Sequence, residues 1–301
     1  MTKLWLFIRM SRPLFILGVF LLYALGVGIA KYLGYTINWL AYLLGQLWVT
    51  LLQLSTQYLN EYFNSPADIN NPNRTPLTGG SGLIGPGKLS QKVALYSALT
   101  CLAILSSFSV VLFTNVRLPI EAIIIMVLAF LGSFFYSTPP IKLEGSGYGE
   151  LTASIIVASL VPAFAYNLQT GELHRFLAMS AFPLTLLHLS MLIAFELPDY
   201  TTDLKFGKNT LLVRIGWQNG ILLHNILTLS AFLMLGIAAL YGLPTFVLIS
   251  AMIPLPIGLY QIWQMRRISL GEKPNWTSVT LIALVLFASM AYFIAYAFWT
   301  H

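Results

Sequence analysis

The stretch Asn60-Glu-Tyr-Phe-Asn64-Ser-Pro-Ala-Asp68 and its distant counterpart Glu196-Leu-Pro-Asp199-Tyr-Thr-Thr-Asp203 decide how the rest of the chain is read. Each stands where a long apolar run gives out, and each spaces amide or carboxylate side chains four residues apart. Residues at i, i+4 and i+8 share one helix face, so Asn60, Asn64 and Asp68 project together. Asp199 and Asp203 do the same. Pro66 predicts a break in the first helix, which puts Asp68 at a kink or just past the helix end. Pro198 stands just ahead of Asp199 in the second.

The surrounding composition sets the medium. Of 301 residues, 57% are hydrophobic and 9% charged, and the mean hydropathy is +0.78. A soluble domain carries about 25% charge, so the chain reads as an all-α polytopic membrane protein, one domain over residues 1–301. Runs of about 20 apolar residues predict nine spans, at 14–34, 39–61, 92–114, 119–136, 151–169, 176–197, 218–241, 243–265 and 277–299. The basic opening through Lys3, Arg9 and Arg12 has no small-residue cleavage site after it and is not a removable signal.

Loop charge predicts the orientation. With the N-terminus in the cytoplasm, 13 of the 16 Lys and Arg residues fall on inner segments, and Lys31, Arg117 and Arg175 on outer ones, as the positive-inside rule requires. Nine spans then place His301 outside, in what reads as a prokaryotic cytoplasmic membrane. Eight of ten acids fall on the inner side as well, leaving Glu121 and Glu172 outside. Carboxylates contribute little to topology, so their crowding there points to a polar chamber. Six of seven Trp residues lie near span ends, as interfacial anchors do. The four His residues show no metal-ligand spacing, His188 being a span residue, satisfied or facing a cavity. The single Cys101 excludes a disulfide within the chain. A scattered net charge of +6 gives no sign of a nucleic-acid partner, and no obligate protein partner is evident.

Oxygen-only donors suit Mg²⁺, which keeps waters and bridges to substrate phosphates. Two such sets on one face fit metal ions held against a diphosphate. Cations on the same side that could meet its charge are Arg12, Arg74, Lys142, Lys205 and Lys208. The glycines of Gly79-Gly-Ser-Gly-Leu-Ile-Gly85-Pro-Gly-Lys88 free backbone N–H groups to approach an anion. A transporter or channel with an acidic vestibule also explains polar residues in spans, although transporters bind near the midplane.

The two motifs, the nine spans and the run Asp203-Leu-Lys-Phe-Gly207-Lys-Asn-Thr-Leu211-Leu-Val-Arg-Ile-Gly216 resemble the UbiA superfamily of intramembrane prenyltransferases, over nearly the whole chain. Gly79 to Ser90, and Tyr136…Pro139-Pro140 through Gly147-Tyr-Gly-Glu150, are most similar to its 1,4-dihydroxy-2-naphthoate branch, which makes menaquinone or phylloquinone precursors. The resemblance implies helices around a central cavity opening near the cytoplasmic face, with Asn60, Asn64, Asp68, Asp199 and Asp203 holding Mg²⁺. It implies a polyprenyl diphosphate and a small aromatic acceptor as partners, alongside membrane lipid. Asp68, Asp199, Asp203 and Lys142 are the expected catalytic residues. Arg12, Asn60, Arg74, Tyr136, Lys142, Glu196 and Lys208 are the expected substrate contacts. Glu61 and Asn64 stand where the family usually carries Asp, and Glu196 where the naphthoate branch often has an amide. Acceptors left open are 4-hydroxybenzoate, homogentisate, chlorophyllide and a glycerol-type lipid.

Overall fold

The computed structural model describes residues 2–85 and 88–301, with the side chains at 66 and 67 outside the described set. Pro86 and Gly87 of the expected anion-approaching loop therefore lie outside the described residues. Among the described residues, the one pairing of extended chain is an isolated bridge between Ile84 and Leu89, and the rest of the regular structure is helical.

The helices are α1 (Lys3–Met10), α2 (Pro13–Tyr32), α3 (Trp39–Ile69), α4 (Gln91–Asn115), α5 (Ile120–Ser137), α6 (Gly149–Ile155), α7 (Val161–Thr170) and α8 (Arg175–Glu196). They continue as α9 (Tyr200–Lys205), α10 (Leu211–Ile215), α11 (Trp217–Leu240), α12 (Thr245–Met252), α13 (Leu255–Ser269) and α14 (Trp276–Thr300). A five-residue π-helical segment, Ile156–Leu160, joins α6 to α7.

Among the described residues, seven segments are long and apolar enough to cross a bilayer: Pro13–Tyr32, Gln91–Asn115, Ile120–Ser137, Gly149–Thr170, Arg175–Lys205, Trp217–Leu240 and Trp276–Thr300. The pair α12 and α13, bent by 41°, makes an eighth if it is one span. Length and hydropathy thus do not recover the expected nine. The expected span at 39–61 lies in α3, where Gln46, Thr50, Gln53, Gln57, Asn60 and Asn64 recur every three or four positions. That spacing draws a polar stripe down one face of the helix. Nor does Pro66 end α3, which runs on to Ile69 and carries Asp68 in its last turn. Proline removes one ladder bond, and the helix continues here, as α8 does past Pro183.

Packing follows the small residues. α2 packs on α7 and α14, α3 on α4, and α8 on α11. A Cβ on Gly26 would lie 2.1 Å from the Pro162 carbonyl oxygen, and one on Gly28 would lie 2.7 Å from the Trp299 ring. Such close approach is how helices associate where lipid removes the hydrophobic drive between them. Tyr23, Phe164, Tyr166 and Phe298 fill the interior, while Leu17, Val110, Leu233 and Leu240 face outward.

Candidate active site

Two helix faces meet across a cavity of about 240 Å³. From α3 come Gln53, Thr56, Gln57, Asn60, Asn64 and Asp68, and from α8 and the turn after it His188, Met191, Leu192, Phe195, Glu196 and Asp199. Both sets open on an i, i+3, i+4, i+7 pattern, that of one helix face. α5 adds Gly132, Ser133 and Tyr136, and the α6 region adds Glu144, Glu150, Ile156 and Val157. Arg12, Phe15, Gly79, Gly80 and Lys208 complete the mouth. The two sequence motifs, over 130 residues apart, therefore share one chamber.

The mouth is a closed network around Glu144, which is 5% exposed. Asn60 Nδ2 donates to Glu144 Oε2 at 2.7 Å, Asn64 Nδ2 donates to the same oxygen at 2.6 Å, and Lys208 Nζ stands 3.9 Å from it. An ionised carboxylate only accepts, so both amides turn their nitrogens to Glu144 and keep their oxygens for other partners. Burial works against the Lys208 charge. Glu144, Asp203, Tyr136 and Asp68 around it outweigh that, and its ammonium is held above the usual lysine range.

Asp199 accepts from Asn71 Nδ2 at 2.6 Å and from the Gly79 N–H at 3.1 Å. Gly80, at φ +70°, lies against Asp68, where a Cβ would come within 2.2 Å of the carboxylate. The glycine loop thus runs between the motif carboxylates. Its Gly79 N–H, expected to approach a ligand anion, is spent on Asp199. Asp203 is buried next to Lys208 and is not part of the cavity wall proper.

Glu61 has a different task from the metal-side acid its position suggested. Arg12 Nη2 donates to its Oε1 at 2.6 Å, as does the Ser81 N–H at 2.7 Å, and Ser81 Oγ donates to Oε2 at 2.7 Å. Arg12 itself sits at φ 45°, a left-handed conformation at the α1–α2 junction. This clamp ties that junction, α3 and the glycine loop together, and it commits part of the Arg12 charge before any substrate arrives.

Two expected cations are placed elsewhere. Lys142 is exposed, with its ammonium 5.5 Å from the centre of the Phe63 ring, and it is not among the residues lining the cavity. Its left-handed backbone, φ 46°, turns it outward. Arg74 lies in a smaller neighbouring pocket with Glu61, Asp68 and Lys88. Glu196, expected to meet the acceptor, lines the cavity but also accepts from the Leu212 N–H at 3.4 Å, beside Glu150, which accepts from the Leu211 N–H at 3.0 Å. The two acids cap the first turn of α10.

Sequence reasoning passed over Glu144, Glu150, Gln53 and Gln57 as site residues, while His188 takes the cavity-facing alternative left open for it. The stripe that ends in Asn60 and Asn64 carried the signal for the glutamines, because it extends back at the same spacing. Nothing in the sequence around Leu143-Glu-Gly145 marks Glu144.

Residues 20–277 match the pattern of the UbiA prenyltransferase family. Among solved structures the chain is similar to a UbiA homologue from Aeropyrum pernix K1, with a TM-score of 0.61 and 15% identity over 93% of this chain and 96% of that one. A UbiA homologue from Archaeoglobus fulgidus bound to GPP and Mg²⁺ gives a TM-score of 0.60 at 18% identity, over 97% and 99%. A digeranylgeranylglyceryl phosphate synthase gives the same TM-score, identity and coverage. At such identities the likeness establishes the fold. A comparison with curated proteins gives no match.

Proposed function

The chain belongs to the UbiA prenyltransferase family, and from that premise we propose that it moves a prenyl group from a polyprenyl diphosphate to 1,4-dihydroxy-2-naphthoate, with Mg²⁺, in making a menaquinone or phylloquinone precursor. The carrying observation is the chamber in which both acidic motifs, Lys208 and an apolar extension meet. That extension, lined by Val49, Leu52, Ile125, Leu160 and Phe164, shares Gln53, Ser133, Ile156 and Val157 with the main cavity. It suits an isoprenoid tail. A cavity with a charged mouth and an adjoining apolar pocket matches the two halves of a prenyl diphosphate, which family membership favours over transport.

The donor set suits Mg²⁺. Among the described residues no three His, Cys, Asp or Glu side chains form a ready cage, and Mg²⁺ is ordinarily held by one or two carboxylates together with substrate phosphates and water. Asp68, Asp199 and Asp203, with the amide oxygens of Asn60 and Asn64 left free by Glu144, are the residues that would hold it. When bound, the ion supplies charge neutralisation of the departing diphosphate. Lys208 adds fixed positive charge at the same mouth. Asn71 and Gly79 orient the Asp199 carboxylate, and Glu144 orients both amides, so little reorganisation is left for substrate binding. The apolar walls exclude the water that would otherwise capture an allylic cation.

We count α3 as a ninth span despite its polar stripe, because that stripe faces the cavity. The charge of the basic loops supports a reading with the mouth and the N-terminus in the cytoplasm and His301 outside, in a prokaryotic cytoplasmic membrane, with residues 1–301 acting as one domain. The test uses purified protein in liposomes with Mg²⁺ and a long-chain prenyl diphosphate, following pyrophosphate release and product mass. A prenylated, decarboxylated naphthoate is expected. Transfer to 4-hydroxybenzoate or a glycerol phosphate lipid instead would keep the reaction and replace the acceptor.

A further inference from the structure

The inner end of the cavity holds polar groups that the prenyl diphosphate does not need. His188 lies eight residues before Glu196 on the same helix face, roughly 12 Å deeper at 1.5 Å per residue. The residue is 7% exposed, and its ring packs edge-on against Phe287, with the centroids 4.9 Å apart. Across the cavity, neither Oε1 nor Nε2 of the Gln57 amide, both buried, has a hydrogen-bond partner among the described residues. A buried amide left unanswered costs about 1–3 kcal/mol, and such a group on a cavity wall is a place for a ligand to bond.

Hydrogen-bond bookkeeping fixes the state of His188. Ser154 Oγ has one proton, and it donates that proton to the Glu150 carbonyl oxygen at 2.7 Å. The same oxygen lies 3.0 Å from His188 Nδ1, so there it accepts, and Nδ1 carries the hydrogen. In the neutral ring Nε2 is then a lone-pair acceptor. It has no partner among the described residues, and His188 lines the cavity.

We propose that His188 Nε2 and the Gln57 amide form the subsite for the acceptor's hydroxyl-bearing ring, and that Nε2 takes the hydroxyl proton during transfer. This rests on the prenyltransferase reading above and goes beyond it by assigning the acceptor's place and the proton's destination. The allylic carbon–oxygen bond breaks, and its electron pair leaves with the diphosphate. A ring π pair forms the new carbon–carbon bond, the hydroxyl proton passes to Nε2, and the oxygen–hydrogen pair becomes the second bond of a ring ketone. The products of the step are a neutral prenylated ketone, an imidazolium and diphosphate. The carboxylates and Lys208 stay with the diphosphate at the mouth. Met191, Leu192 and Phe195, between His188 and Glu196 on the same face, offer an aromatic ring apolar walls.

The test compares His188→Asn, which keeps an amide nitrogen near the Nδ1 position for Ser154 but removes Nε2, with His188→Gln, which places an amide near Nε2. Binding is measured by titration calorimetry on the full-length protein, using 1,4-dihydroxy-2-naphthoate, 4-hydroxybenzoate and their O-methyl ethers. Prenyl diphosphate binding and pyrophosphate release are followed in parallel. His188→Asn should bind the free hydroxyl compound about tenfold more weakly, the loss of one hydrogen bond of about 1.4 kcal/mol, and should lose the wild-type preference over the ether. His188→Gln should recover that affinity while kcat stays down about 10²-fold or more, the usual range for a lost general base. Gln57→Leu should weaken acceptor binding without lowering thermal stability, since the amide bonds nothing among the described residues. Wild-type transfer by His188→Asn, equal binding of hydroxyl and ether by the wild type, or parallel loss of prenyl diphosphate binding in both His188 variants would overturn the assignment. So would a wild type that binds none of these acceptors. A wild type that binds them but releases no pyrophosphate would instead overturn the prenyltransferase reading.

Discussion

The two ends of the cavity are built on opposite principles. At the mouth many polar groups are answered from within the chain, one Glu150 carboxylate oxygen excepted. Glu144 takes both asparagine amides, Asp199 takes Asn71 and Gly79, and Glu61 takes Arg12 and Ser81. Deeper in, the Gln57 amide, one helical turn before Asn60, and His188 Nε2, some 12 Å before Glu196 by helical rise, have no partner among the described residues. A network of internal hydrogen bonds holds charges in fixed positions before substrate arrives, as electrostatic catalysis requires. Unanswered groups in a low-dielectric wall are costly without a ligand and selective with one. On the proposed reading the mouth acts on a diphosphate, and the inner end chooses what meets it.

The largest effect should come from removing a mouth carboxylate. Asp199→Ala or Asp203→Ala is expected to lower pyrophosphate release by about 10³-fold or more, at the upper end of single electrostatic deletions, while the protein still inserts and melts normally. An active Asp199→Ala enzyme would separate the mouth from the chemistry and leave the comparison without its first half.

One step smaller is Glu144→Gln. The substitution keeps the shape but lets the amides of Asn60 and Asn64 turn over and removes the anion nearest Lys208. Outer-shell groups that orient ligands are worth about 10- to 100-fold in metal affinity, so the Mg²⁺ concentration for half-maximal activity should rise by that factor. An unchanged Mg²⁺ dependence would show that Glu144 serves folding rather than orientation.

A third change tests the frame that holds both ends in place. Gly26→Ala puts a methyl group 2.1 Å from the Pro162 carbonyl oxygen where α2 crosses α7. Overpacking costs about 1–3 kcal/mol, so a lowered melting temperature is expected, with the ratio of Mg²⁺ affinity to acceptor affinity unchanged. A shift in that ratio would mean that the two ends move independently.

Much of this was legible in the chain. The composition and the span-length runs gave the all-helical membrane class, and the spacing of Asn60, Asn64 and Asp68 gave a shared face that the structure keeps. What could not be read depends on long-range direction. Glu61 sits one residue from Asn60, yet a turn of 100° aims it at Ser81 rather than at the cavity. Glu144 is a single acid in a short 3₁₀ turn, and its burial under two asparagines is a property of the fold. Length and hydropathy pass over α3, whose polar stripe, locally indistinguishable from solvent exposure, contributes Gln53, Gln57, Asn60 and Asn64 to the cavity wall.

The smallest effect expected is also the one that separates sequence adjacency from structure. Lys142 stands three residues after Pro139 and two before Glu144, and by neighbourhood it belongs with the diphosphate. In the structure it is exposed and stacked over Phe63 at 5.5 Å, while Lys208, sixty-six positions on, lines the cavity near Glu144. An exposed cation–π contact is worth about 0.5–1 kcal/mol, so Lys142→Met should change stability by no more than that and turnover by about threefold at most. Lys208→Met should lower turnover by about 10²-fold, in the range of a lost electrostatic donor. Steady-state pyrophosphate release on the pair decides between them. If Lys142→Met proves the more damaging, the loop after α5 closes over the mouth during the reaction, and the mouth is assembled by substrate rather than prepared for it.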